Sequence, residues 1–176
     1  MLGPVIGQGD ADPEAVARKI LLDQLTGQAR SRSELAVKLA KKGVPGEVAE
    51  RLLDRFEEVG LVDDQAFARA WVQSRQPGKG LARRALAQEL RRKGIEDDVA
   101  RTALDEVDPD DEVEAARALV RRKLRTVGRL ERDVAVRRLT GMLARKGYPA
   151  SVCFRVVREE LDASGHDTDD LPEVAD

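Results

Sequence analysis

The 176-residue chain is poor in aromatic side chains and in sulfur, with three Phe, one Trp, one Tyr, one Cys and two Met. A single cysteine, Cys153, excludes an internal disulfide, fits a reducing compartment, and is expected to pack as a small apolar residue. The only histidine, His166, falls in an acidic stretch, so no Cys–His nucleophile pair and no His/Cys zinc cluster is available on a rigid scaffold. No run of about 18 apolar residues occurs. The N-terminus lacks the basic start and apolar centre of a signal peptide. The expectation is a soluble, cytoplasmic, non-enzymatic protein that uses no metal or cofactor.

Leu, Val, Ala and charge fill the sequence instead. Hydrophobic residues make up 41% and charged residues 36%. Strand formers never gather into an alternating run, whereas Ala and Leu recur at helical spacing, and an all-α fold follows. The formal charge of −2 hides a segregation. Residues 1–14 carry −3, residues 162–176 carry −6, and all 31 Lys and Arg lie between them. Within that basic body, residues 69–93 hold eight cations against one carboxylate, and residues 117–146 hold eleven against two. Such clusters suit a polyanion.

An internal repeat organises the body. Leu35, Leu39, Lys42, Gly43 and Val48 recur as Leu86, Leu90, Lys93, Gly94 and Val99, and again as Leu139, Leu143, Lys146, Gly147 and Val152. Each Lys-Gly ends a helical pattern as a left-handed cap would, and a second helix follows. A further amphipathic segment precedes each pair, giving three helices per repeat. The expected architecture is an elongated tandem array of three three-helix repeats over residues 15–62, 63–109 and 110–161, sharing a continuous core by stacking. Residues 1–14 and 162–176 combine Gly, Pro and acidic residues without apolar periodicity, and are expected to be disordered tails. Ser31 with Glu34 reads as a capping box, and Asp63 or Asp64 as the cap of the helix holding Phe67 and Trp71.

Catalytic chemistry finds little support. Gly78-Lys79-Gly80 resembles part of a phosphate loop, but Gln73 stands where its first Gly belongs and Gly80 where a Ser or Thr would hold magnesium, so QPGKG reads as an exposed turn. The acidic pairs Asp63-Asp64, Asp97-Asp98 and Asp110-Asp111 open helices, where carboxylates serve free backbone amides better than metal ions. Phe67 and Trp71, four apart, share a helical face and are expected in the core. Tyr148 is expected to be more exposed, as a stacking or contact residue. Arg84 and Arg91 share a face opposite Leu86 and Leu90, and Arg137 recurs at the register of Arg84. Arg121, Arg125 and Arg129 form a further spaced series.

Residues 30–95 resemble the RecX regulatory family. The resemblance rests on Ser33-Glu34-Leu35, Lys42-Gly43, Gly60-Leu61-Val62-Asp63-Asp64, Phe67-Ala68, Trp71-Val72, Arg75, Lys79-Gly80 and Lys93-Gly94-Ile95, and extends over about residues 15–161. It implies a modular array lying in the groove of a RecA filament on single-stranded DNA, restraining strand exchange, ATP hydrolysis and the co-protease activity that triggers the SOS response. It also implies structural signature positions at Leu35, Gly43, Asp63, Asp64, Phe67, Trp71, Gly80, Gly94 and Gly147. The residues expected to meet filament or DNA are Arg75, Lys79, Arg83, Arg84, Arg91 and Arg92 in the second repeat. In the third they are Arg121, Arg122, Arg125, Arg129, Arg137 and Arg138. A monomer without membrane contact is expected. The alternatives are a DNA-binding repeat module that needs no RecA, and a helical scaffold that touches no nucleic acid.

Overall fold

A computed structural model describes residues 11–165. Among the described residues the chain forms nine α-helices and no strand, grouped in threes. The first group comprises α1 (Pro13–Gly27), α2 (Arg32–Lys41) and α3 (Gly46–Glu58). The second comprises α4 (Asp64–Lys79), α5 (Arg83–Arg92) and α6 (Asp97–Asp105). The third comprises α7 (Pro109–Val127), α8 (Arg132–Arg145) and α9 (Ala150–Ala163). Of the expected tails, Pro13–Glu14 already belong to α1 and Asp162–Ala163 to α9, while residues 1–10 and 166–176 lie outside the described residues. No helix is long and apolar enough to cross a membrane.

Local chemistry sets the helix ends. Ser31 accepts from the Glu34 amide while the Glu34 carboxylate accepts from the Ser31 amide, so the capping box forms as its spacing demands. Asp63 caps α4 through the Ala66 amide at 3.0 Å, which leaves Asp64 free for another task. At α7 the cap is Asp108 rather than Asp110 or Asp111. The three middle helices end at Gly43, Gly94 and Gly147, with φ of 76°, 72° and 92°, a left-handed cap that Gly adopts without steric cost and that Asn tolerates better than other residues with a side chain.

The core is not continuous. Three separate clusters form, one centred on each repeat: around Leu21, Leu35, Leu39 and Leu53, around Leu86, Leu90, Ile95 and Leu104, and around Val120, Leu139, Leu143 and Val156, the last also taking in Ala82 from the start of α5. Every helix packs on both others of its own group, so each repeat closes its apolar face internally. A fully buried leucine contributes about 1.5–3 kcal/mol. Of the helix pairs in substantial contact only α4 with α7 crosses between groups.

Polar joints take the place of a shared core. The amino end of α2 seats on the end of α5: the Ser31 hydroxyl donates to the Lys93 carbonyl at 2.6 Å, and the Arg32 amide donates to Asp64 at 2.9 Å. One repeat later the Ala82 amide donates to the Lys146 carbonyl at 2.9 Å and the Arg83 amide to Glu112 at 3.3 Å. Each joint sets the positive end of one helix dipole against the negative end of the next.

Two expectations fail at the second joint. QPGK is the last turn of α4 rather than a loop, because Lys146 Nζ donates to the Lys79 carbonyl at 2.9 Å and Tyr148 Oη to the Gly80 carbonyl at 2.9 Å, satisfying acceptors that the helix end leaves open. Tyr148 is accordingly buried, not exposed, and burial pushes its hydroxyl up to about 12. Cys153 is buried beside it and accounts for itself as packing.

Candidate nucleic-acid and protein interface

The arginines divide by what they touch. In the second repeat, Arg83 reaches Asp105 at 2.6 Å, repeating the bond from Arg32 to Asp54 at 2.8 Å in the first, so it holds its own repeat together. Arg75 lies with its guanidinium carbon 4.2 Å from the centre of the Trp71 ring. That ring is only half-buried; it stacks on buried Phe67 with centroids 5.7 Å apart and donates to Glu89 at 2.8 Å. Arg91 is exposed and 3.5 Å from Asp97. Arg84 and Arg92 on α5 and Lys79 at the end of α4 are exposed and have no carboxylate partner among the described residues; Arg84 lies on the face that its spacing from Leu86 and Leu90 predicts.

In the third repeat the two sides of α7 differ. On the side facing α9, Glu160 is buried and receives Arg121 at 2.8 and 3.0 Å and Arg117 at 3.4 Å, while Arg117 also pairs with Glu159 and Glu114. The Arg121 hydrogen bonds hold the Glu160 carboxyl below the usual carboxylate range. Arg121 is therefore occupied, and the series Arg121, Arg125, Arg129 does not form one open stripe. Arg125 stays on α7, whereas Arg129 follows the helix end at Gly128; both are exposed.

On the side facing α8 a groove of about 690 Å³ opens, walled by Lys123 and Thr126 of α7 and by Arg137, Arg138, Met142 and Arg145 of α8. The buried positions Ala135, Leu139 and Leu143 turn one face of α8 inward. Arg138 and Arg145, seven residues apart, then share another face beside Met142. None of the four cations has a carboxylate partner among the described residues, and no carboxylate lines the groove. Unneutralised like charges converging in a cleft create a positive potential suited to phosphate or acidic side chains. A neighbouring groove between α4 and α7 carries Lys79 and Arg122 over an apolar floor that includes Leu119.

Of the groove's cations, repeat register singles out Arg137, and Arg138 is among the expected residues, whereas Lys123 and Arg145 are not. Arg145 had a legible signal, since it lies two residues before its cap glycine, as Lys41 and Arg92 do. Lys123 had none, because its position depends on how α7 meets α8. Among the described residues no group of three or more His, Cys, Asp or Glu is placed to hold a metal ion.

Three small cores joined by polar caps, with an open cationic groove, define an α-helical protein of three three-helix repeats. Family models described as the first, second and third three-helix domains of RecX match residues 17–56, 63–104 and 110–157. The regulatory protein RecX of Streptomyces coelicolor is 53% identical over 165 residues, covering 94% of this chain and 88% of that one. That of Thermobifida fusca is 51% identical over 164 residues, covering 92% and 89%. The crystal structure of RecX from Lactobacillus salivarius shares the fold, with a TM-score of 0.79 at 19% identity over 85% of this chain and 97% of that chain. A second crystal structure, of a regulatory protein RecX, gives 0.76 at 27% identity over 85% and 73%. The chain belongs to the RecX family.

Proposed function

We propose that this chain is a negative regulator of RecA that binds the RecA filament on single-stranded DNA and lowers its recombinase, ATPase and co-protease activities. It acts by occupancy rather than catalysis, in the cytoplasm, as a monomer, and so tempers recombination, DNA repair and the SOS response. The observation that carries the reading is the groove of Lys123, Arg137, Arg138 and Arg145, four cations without a carboxylate partner among the described residues, in a protein that pairs many of its other arginines. Free cations at Arg84, Arg92, Arg122, Arg125 and Arg129 extend the same charge along the array. Several modest contacts along a polymeric target multiply when geometry allows them to engage together. Arg75, Arg83 and Arg121 serve the fold first, and Arg91 is partly screened by Asp97.

Fluorescence anisotropy on labelled single-stranded DNA, with and without RecA and a slowly hydrolysed ATP analogue, tests the reading. If the four groove cations each neutralise one phosphate, log affinity falls with log salt at a slope near −3. Substituting Arg137→Gln and Arg138→Gln together then flattens the slope by about 1.4 and weakens inhibition of RecA ATP hydrolysis. Binding that is equal on bare DNA and on filaments would favour the RecA-independent DNA module. Salt-insensitive binding would sink both.

A further inference from the structure

Each middle helix ends in the same three-part cap: a Lys carbonyl, a Lys ammonium and a glycine with positive φ. At Lys93-Gly94 all three parts are occupied. The carbonyl accepts the Ser31 hydroxyl at 2.6 Å, the ammonium meets Glu34 at 2.5 Å, and a Cβ added to Gly94 would fall 2.3 Å from Ser33 Cβ. At Lys146-Gly147 the carbonyl accepts the Ala82 amide, the ammonium donates to the Lys79 carbonyl, and an added Cβ would fall 2.8 Å from the Ala85 nitrogen. In both, the amino-terminal turn of the middle helix one repeat earlier covers the carbonyl and the glycine; the ammonium meets that turn's Glu34 in the first case and the end of α4 in the second.

Lys42-Gly43 carries the same parts with the same backbone, φ being 76°. Among the described residues each part is open here. Lys42 and Gly43 are exposed, and no atom lies within 4 Å of where a Gly43 Cβ would stand. Among the described residues the Lys42 carbonyl accepts no hydrogen bond and its ammonium has no carboxylate.

We infer that the Lys42-Gly43 cap is a docking socket for the amino-terminal turn of a helix on a partner protein. The two filled caps define what fits. The N-cap residue is small, as Ser31 and Ala82 are, and donates a hydroxyl or amide proton to the Lys42 carbonyl. An acidic residue three positions on, as Glu34 is, meets the Lys42 ammonium. Opposed helix dipoles add attraction, because the partner's positive end meets the negative end of α2. A second copy of this chain is not the occupant. Its only unstacked middle helix is α8, which begins a turn early, so that Ala135, at the register of Ser31 and Ala82, is buried within the helix and donates to the Glu131 carbonyl. Resting on the proposed function, the partner is a RecA protomer, held at one end of the array while the third-repeat groove takes phosphate or acidic surface at the other.

The test uses the full chain on RecA filaments assembled on single-stranded DNA, read by co-sedimentation across a salt series. Gly43→Asn keeps a residue that tolerates positive φ but fills the socket, and Lys42→Glu reverses the charge that an acidic partner position would meet. Each variant is expected to weaken filament binding about tenfold, with helix content and melting temperature retained and, for Gly43→Asn, the salt slope unchanged. Wild-type affinity in both variants would overturn the socket and leave the proposed function standing. Failure of the wild-type chain to bind filaments would overturn that function and this inference with it. A wild-type self-association abolished by Gly43→Asn would also overturn it, by giving the socket to a second copy.

Discussion

Helix α7 carries basic residues on two sides that look alike in sequence and differ in their surroundings. Toward α9, whose sequence includes Glu159-Glu160, Arg117 and Arg121 close on a buried carboxylate. Toward α8, which supplies Arg137, Arg138 and Arg145, Lys123 finds only like charge. Two helices that both pack on α7 therefore assign opposite tasks to residues two positions apart. An arginine facing acid is part of the fold, and one facing other cations is available to a ligand.

The sharpest way to break this contrast is Glu160→Gln. Removing a carboxylate that two arginines share is expected to destabilise the chain by about 1–2 kcal/mol at neutral pH, less than for a fully enclosed pair because both arginines also reach solvent. The same change releases Arg121, while Arg117 keeps Glu159 and Glu114, so affinity for heparin at low salt should rise while urea stability falls. The difference in stability has a defined pH dependence. Arg121 lowers the folded-state pKa of Glu160, so its contribution is complete above the unfolded value of about 4.3 and is lost as pH falls through the folded value. Wild type and variant should converge in strong acid; a gap that persisted there would assign the loss to packing.

The next effect is expected at the joint between the second and third repeats. Tyr148→Phe removes the bond to the Gly80 carbonyl and is expected to cost about 1 kcal/mol in urea unfolding. Tyr148 is the only tyrosine, so ultraviolet absorbance reads its ionisation directly. Its folded-state pKa is raised to about 12, so stability from the neutral phenol is complete below the unfolded value of about 10 and is lost as pH rises through about 12. Titration near 10 in the folded chain would mean that the joint is open.

The smallest effect separates the two kinds of arginine. Arg83→Gln is expected to cost at most about 1 kcal/mol and to leave heparin affinity unchanged, since its guanidinium is held by Asp105. Arg138→Gln should do the reverse, weakening heparin binding with no loss in melting temperature. Equal effects of the two on binding would erase the distinction between fold and groove.

Much of the fold was legible because its signals are local. Ser31-Glu34 announced a helix start and each Lys-Gly a helix stop, and leucine spacing gave the buried faces of α2, α5 and α8. The exposure of Arg84 and Arg91 followed from the same periodicity, and that of Arg137 from the repeat register. Three separate cores, buried Tyr148 and the continuation of α4 through Pro77 did not follow. Each depends on contacts between residues distant in the chain: Tyr148 with Gly80, Lys146 with Lys79, Ser31 with Lys93.

By itself, then, the sequence determined three helical triplets, their caps and their outward cations, because periodicity and capping act within a turn or two of helix. Tertiary structure decided which cations remain charged toward solvent, since neutralisation depends on whether a carboxylate from another helix arrives within a few ångströms. Glu160 arrives at Arg121; among the described residues no carboxylate arrives at Arg138.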